Sequence, residues 1–351
     1  MKPGHELGTS LQATVSALLA PAKGILAADE SFSTLGKRFA ALGIPSTEDN
    51  RRAYRELLFG TPGLEEFISG AILSDETFRQ DTASGTPMPE VLTGRSMVPG
   101  IKVDAGLAAF PGFEKEMFTQ GLDGLRQRLA EYRESGARFT KWRAVTSIGR
   151  GRPTRTCIRS NADALALFAS LSQEAGLVPI VEPEVLMDGT HTIAVCEEVT
   201  RAVLQAVFDA LFGHGVRLEA LLLKTGMVLS GTDCAEQADD AQVAEATLRC
   251  FRRSVPAAVP GIVFLSGGQS DVAATRRLDA ICRTGGAPWT LGFSFGRGLQ
   301  NEALKTWNGS PANVAAAQAA LLHRARCDSL ALLGKYSAEA ERFEPGQKAS
   351  A

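Results

Sequence analysis

The chain has 351 residues, of which 44% are hydrophobic and 22% charged, with a formal net charge of -2. That balance supports a globular fold with a large core and gives no overall pull toward nucleic acid or an anionic membrane surface. Cys157, Cys196, Cys234, Cys250, Cys282 and Cys327 are scattered, with no Cys-x-x-Cys pair. Such spacing fits reduced thiols in a cytoplasm better than a disulfide framework. No apolar run is long enough to span a bilayer.

In chain order, the first signal is an N-terminal segment in which Leu11, Val15, Leu18 and Leu19 recur at helical spacing. It reads as an amphipathic helix rather than the core of a signal peptide. Eight short apolar runs follow: 24–31 (GILAADES), 70–77 (GAILSDET), 100–104 (GIKVD), 139–145 (FTKWRAV), 178–186 (VPIVEPEVL), 220–228 (ALLLKTGMV), 261–268 (GIVFLSGG) and 290–298 (TLGFSFGRG). Between them lie segments such as 161–176 and 200–215, with apolar residues at three- and four-residue steps and a closing glycine. Eight alternations of strand and helix predict an α/β protein with a parallel sheet, closed as a single (β/α)8 barrel over residues 1–336. The polar residues 337–351 read as a short mobile tail.

Nearly every predicted strand ends in polar or charged residues: Asp29 and Glu30, Asp75 and Glu76, Lys102 and Asp104, Lys141 and Arg143, Glu182 and Glu184, Lys224, Ser266, and Ser294 with Arg297. In a βα barrel these ends converge on one mouth, the place of the active site. Lys224 follows four apolar residues and precedes a turn-like Thr225-Gly226. A lysine there is either structural, with its ammonium reaching solvent, or an amine nucleophile for a carbonyl. The pairs Lys141/Arg143 and Glu182/Glu184 stand at i and i+2, so each pair shares one face of its strand. They suit proton transfer beside Lys224, or a salt-bridge network that stiffens the barrel; the glutamates alone could also ligate a metal. The four histidines show no paired ligand spacing, so no catalytic metal is expected.

Residues 264–270 (FLSGGQS) and 293–298 (FSFGRG) place Ser266, Gly267 and Gly268 on one strand end and Ser294, Gly296 and Arg297 on the next. Bare backbone N–H groups beside a guanidinium suit a phosphate, at the position where barrels often bind one; two tight turns are the plainer reading. A second cationic group, Lys102, Arg143, Lys37 and Arg38, would suit another phosphate. Asp29 is a candidate base, or an N-cap together with Ser31. Trp142 and Trp289 read as packing residues.

Taken together, 21–31 (PAKGILAADES), GIKVD, KWR, VPIVEPE, FLSGGQS and GRxLQ resemble class I fructose-bisphosphate aldolase over nearly the whole chain, as far as Gly334-Lys335-Tyr336. The resemblance implies an eight-stranded barrel and, commonly, a homotetramer; the cytoplasmic location expected here rests on the scattered cysteines. It implies reversible cleavage of fructose 1,6-bisphosphate to dihydroxyacetone phosphate and glyceraldehyde 3-phosphate, with a phosphosugar as substrate and no cofactor. On it, Lys224 is the imine-forming lysine, Glu182 the proton shuttle and Glu184 its supporting carboxylate. Asp29 is the base for the C4 hydroxyl and Lys141 the cation beside the reacting centre. Ser266, Gly267, Gly296 and Arg297 form the C1-phosphate seat; Lys102 and Arg143, with Arg38 and Thr34 near the same mouth, face the distal phosphate. The chain departs from the animal pattern at Thr225-Gly226, Ser74-Asp75 and Phe295, and its tail lacks the terminal tyrosine. The same imine chemistry would also serve sedoheptulose 1,7-bisphosphate or fructose 1-phosphate, and a non-catalytic phosphosugar-binding protein on this fold is a further alternative.

Overall fold

The computed structural model describes residues 3–342. Its strands, in chain order, are β1 (Gly24–Ala28), β2 (Ile68–Leu73), β3 (Val98–Lys102), β4 (Leu107–Ala109), β5 (Met117–Thr119), β6 (Phe139–Thr146), β7 (Val178–Val185), β8 (Leu222–Thr225), β9 (Gly261–Phe264) and β10 (Thr290–Phe293). Eight of them form one parallel sheet in the order β1-β2-β3-β6-β7-β8-β9-β10, while β4 and β5 pair antiparallel. The sheet curls until the residues after β10 meet β1, where the Ala27 N–H donates to Phe295 O at 3.0 Å. All eight apolar runs lie on barrel strands, and the result is the (β/α)8 barrel. The β4–β5 hairpin has no apolar run of its own, and period reading misses it.

The strands are buried almost throughout, because helices cover the outside and side chains fill the inside. Two apolar clusters record this division. Leu26, Trp142, Val181 and Leu223 pack outward against the helices. Ile25, Ala27, Phe139, Ile180 and Leu222 pack inward, together with Leu11, Val15 and Leu18 of the helix Pro3–Leu18. That helix plugs one end of the barrel, and the Ser69 hydroxyl donates to Leu18 O at 2.7 Å. Gly100 faces the same interior. A Cβ there would lie 2.2 Å from the Phe139 ring, so the glycine is what lets that ring fill the barrel.

Strand alternation then fixes the other end. Side chains at i and i+2 share a face. Inward Ala27 therefore implies inward Asp29, Phe139 implies Lys141 and Arg143, Ile180 implies Glu182 and Glu184, and Leu222 implies Lys224. These four strands, β1, β6, β7 and β8, pass from apolar to charged as they leave the plugged end, and the charged layer lies at their carboxyl ends. Thr154, Thr192 and Ser270 cap the helices that return from this layer. Residues 337–342 form a turn against the last helix, Val314–Leu332, with Glu341 bonded to Arg324. The remainder of the predicted tail, 343–351, lies outside the described residues.

Candidate active site

Lys224 is only 3% exposed, so its ammonium does not escape past the strand end. Its Nζ lies 3.3 Å from Glu182 Oε1. Glu182 Oε2 lies 3.1 Å from Lys141 Nζ, which lies 2.6 Å from Asp29 Oδ2. Four buried groups from four strand ends thus make a line of alternating charge, Lys224–Glu182–Lys141–Asp29. Glu182 Oε2 accepts no hydrogen bond despite this ion pair, which leaves a lone pair of a buried carboxylate open.

Burial alone would raise the Asp29 carboxyl, but the ammoniums of Lys141 and Lys224 outweigh it and lower it to about 2. Glu182 follows the same balance: burial raises it, and Lys141, Lys224 and Arg143 bring it below the usual range. Burial opposes the charge on Lys141, yet Asp29 and Glu182 overcome it and raise its pKa. Asp29, Glu182 and Lys141 are therefore all ionised at neutral pH. Beside the line, Arg143 Nε donates to Glu184 Oε2 at 2.6 Å, so the second glutamate serves a cation rather than the first glutamate.

Ser31 alone caps the helix Phe32–Ala40 by accepting from the Thr34 N–H; Asp29 takes no part and turns to Lys141. Thr34 is exposed on that helix, on the rim. Arg38 lies one turn on, held by Glu30, which also accepts from Arg55 at 2.8 Å. Lys102 Nζ is clasped by Asp104 Oδ1 at 2.5 Å. Three of the four cations expected to form a distal cluster, Lys102, Arg143 and Arg38, therefore each hold a carboxylate of their own.

At the ends of β9 and β10 the site is less satisfied. Gly267 and Gly268 have φ of 56° and 90°, conformations that a side chain would strain. Gly296 is the N-cap of the helix Arg297–Trp307, whose first amides point at this space. The Ser294 hydroxyl is buried without a partner, and Arg297 makes no ion pair among the described residues. A Cβ on Gly268 would lie 3.6 Å from an Arg297 guanidinium nitrogen, which puts that guanidinium over the glycine turn. Ser266 is buried alongside and accepts weakly from the Gly298 N–H at 3.4 Å. An orphan hydroxyl, an unpaired guanidinium, two open glycines and a helix start together suit an anion.

Two expectations need correction. Thr225 is not turn-like: it is the last residue of β8, fully buried, and its hydroxyl donates to Pro183 O at 3.0 Å. Asp75 and Glu76 do not join the central layer. Ser74 caps a short helix that carries them outward, to Arg79 and Tyr132 and to Arg51 respectively. Sequence reasoning passed over Gln300, which reaches back from its helix to Ala27 O at 2.6 Å and accepts from the Tyr54 hydroxyl at 3.0 Å. Its only signal was its place in GRxLQ. Trp142 stacks on Phe168 and packs outward as expected, and Trp289 is buried.

The model of the family described as Glycolytic: Fructose-bisphosphate aldolase class-I matches residues 10–350. A probable fructose-bisphosphate aldolase class 1 of Xanthomonas axonopodis pv. citri is 53% identical over 327 residues, 93% of this chain and 98% of that protein. A fructose-bisphosphate aldolase of Dictyostelium discoideum is 51% identical over 332 residues, 94% of this chain and 93% of its own length. The solved fructose-bisphosphate aldolase of Plasmodium falciparum, in complex with TRAP and a small-molecule inhibitor, superposes with a TM-score of 0.93 at 49% identity, covering 95% of this chain and 96% of that one. With its barrel, its buried line of charge and these relatives, the chain belongs to the class I fructose-bisphosphate aldolases, a family of metal-independent lyases.

Proposed function

We propose that the chain cleaves fructose 1,6-bisphosphate reversibly through an imine on Lys224. The observation that carries this reading is the buried line Lys224–Glu182–Lys141–Asp29. It joins an amine, a proton shuttle, a linking cation and a base within one water-poor layer. The Lys224 amine attacks C2 of the open-chain ketose, and the carbonyl oxygen becomes a hydroxyl. Glu182, ionised at rest, takes the proton that the attacking nitrogen sheds across their 3.3 Å contact and passes it to that hydroxyl, which leaves as water; the protonated imine remains. Asp29 takes the proton of the C4 hydroxyl; the C3–C4 bond breaks, its electron pair passes into the imine, and glyceraldehyde 3-phosphate departs. Protonation of the resulting enamine at C3 and hydrolysis of the imine release dihydroxyacetone phosphate. Lys141 holds Glu182 and Asp29 at fixed separation, and Glu184 holds Arg143.

The C1-phosphate is assigned to Ser266, Gly267, Gly268, Ser294, Gly296 and Arg297, and the distal phosphate to Lys102 and Arg143, with Arg38 and Thr34 on the rim. A bisphosphate suits the two groups better than a monophosphate, because the first holds the cation Arg297 and the second holds Lys102 and Arg143, which a phosphate would draw from Asp104 and Glu184. The assembly is taken to be a homotetramer and the location cytoplasmic; light scattering and cell fractionation check these separately. No helix of the described residues is long and apolar enough to cross a membrane.

The test is a coupled cleavage assay on fructose 1,6-bisphosphate, sedoheptulose 1,7-bisphosphate and fructose 1-phosphate, with EDTA present throughout. Cleavage of the first with the highest kcat/KM is the expected result. Binding of all three without cleavage would leave a phosphosugar-binding protein in place of an enzyme.

A further inference from the structure

The helix Val314–Leu332 carries His323 and Cys327 four residues apart, so both side chains lie on one face. Cys327 Sγ lies 3.7 Å from His323 Nε2. The turn that follows brings Glu341 back over this face, and one donor atom from each of the three residues lies within 4.8 Å of the other two. We propose that His323, Cys327 and Glu341 form a binding site for zinc, which pins the chain after Tyr336 to its last long helix.

The spacing fits that ion. Tetrahedral zinc with a sulfur at about 2.3 Å and a nitrogen at about 2.0 Å sets those two ligands roughly 3.5 Å apart. The observed 3.7 Å needs only a small adjustment. Thiolate, imidazole and carboxylate together select zinc over magnesium or calcium, which take oxygen ligands. Supporting contacts are already in place. Arg324 donates to both Glu341 oxygens at 2.7 Å, and the Tyr336 hydroxyl bonds to the same carboxylate. The Glu341 backbone hydrogen-bonds the His323 ring. Metal-ligating carboxylates and imidazoles are usually oriented by such outer contacts.

Cys327 is 1% exposed and its thiol donates to Ala340 O at 3.2 Å. Binding exchanges that S–H bond for an S–Zn bond: the thiol proton leaves to solvent, and the sulfur electron pair goes to the ion. Glu341 Oε1 keeps Arg324 and the Tyr336 hydroxyl, while Oε2 keeps one Arg324 bond and offers its other lone pair; water takes the fourth position. None of the three residues belongs to the charged layer at the barrel mouth, so the site is structural. A search for paired histidines overlooks it, because the partner of His323 is a cysteine.

The test uses the full chain, stripped with a chelator and titrated with Co2+ as a spectroscopic stand-in for zinc. The expected result is one equivalent bound with a thiolate-to-cobalt charge-transfer band, reversed by Zn2+ and absent in Cys327→Ser. His323→Gln, which keeps the thiol, should weaken binding about tenfold or more. Zn2+ should raise the Tm of the wild type and not of Cys327→Ser. Circular dichroism and cleavage activity report whether each variant is folded. A wild type without the band, a band that persists in Cys327→Ser, or unweakened binding in His323→Gln would overturn the proposal.

Discussion

Lys141 Nζ stands 2.6 Å from Asp29 Oδ2, bridging β6, the fourth strand of the barrel, to the end of the first strand, β1, across the barrel mouth. Its other contact, Glu182 at 3.1 Å, makes it the cation shared by two buried carboxylates. Lys141→Met would strand Asp29 and leave Glu182 to Lys224 alone. Removing one partner of a buried pair costs about 3–5 kcal/mol, because an uncompensated charge stays behind. Urea denaturation should show a loss of that size; a change below about 1 kcal/mol would mean that the ion pairs are solvated and the layer is open.

The same contact sets a pH dependence. Asp29 has a folded-state pKa of about 2 against 3.8 for the unperturbed group. The unfolded chain therefore binds the Asp29 proton first as pH falls. The stability contributed by this group is complete above about pH 4 and is lost on the way down to pH 2; at 1.36 kcal/mol per unit it amounts to about 2 kcal/mol. Comparing wild type with Asp29→Asn across pH 2–5 by denaturant titration should show a flatter acid limb in the variant. Parallel limbs would mean that Asp29 is not held by Lys141 in solution.

Arg297 offers the opposite case, a cation with no carboxylate to strand among the described residues. Arg297→Ala should leave Tm within a degree or two and raise KM for fructose 1,6-bisphosphate by about 10- to 100-fold, the scale of one charge-assisted hydrogen-bond donor. The effect on kcat should be smaller. An unchanged KM would move the phosphate away from the ends of β9 and β10.

Replacing the proposed nucleophile separates chemistry from binding. Lys224→Ala should lose kcat by a factor on the order of 10^4 to 10^6, the range found when a covalent nucleophile is removed. Inorganic phosphate should still compete for the site, because Ser266, Ser294 and Arg297 lie on other elements. Lys224→Arg should be equally inactive, since a guanidinium keeps its proton. Residual turnover above about one per cent in either variant would assign the nucleophile elsewhere.

The charged layer was legible because period-two alternation carries one fact a long way. Once Leu222 or Phe139 is known to face inward, so are Lys224 and Lys141. What alternation cannot show is which charge meets which. That Glu182 would join two lysines while Glu184 took Arg143 depends on the barrel's stagger, a three-dimensional quantity. Asp75 and Glu76 misled for a related reason: Ser74 starts a helix at once, and the chain has left the strand before they occur. Gln300 was opaque because a buried glutamine carries no periodic signal, and its partners Ala27 and Tyr54 are far away in sequence.

The central claim is an imine between the ketose carbonyl and Lys224 Nζ. Treating the enzyme with borohydride in the presence of dihydroxyacetone phosphate, then mapping peptides by mass spectrometry, tests it directly. The expected result is irreversible loss of activity that requires the substrate, with one reduced adduct, on Lys224. An adduct on another lysine, or full activity after treatment, would contradict it.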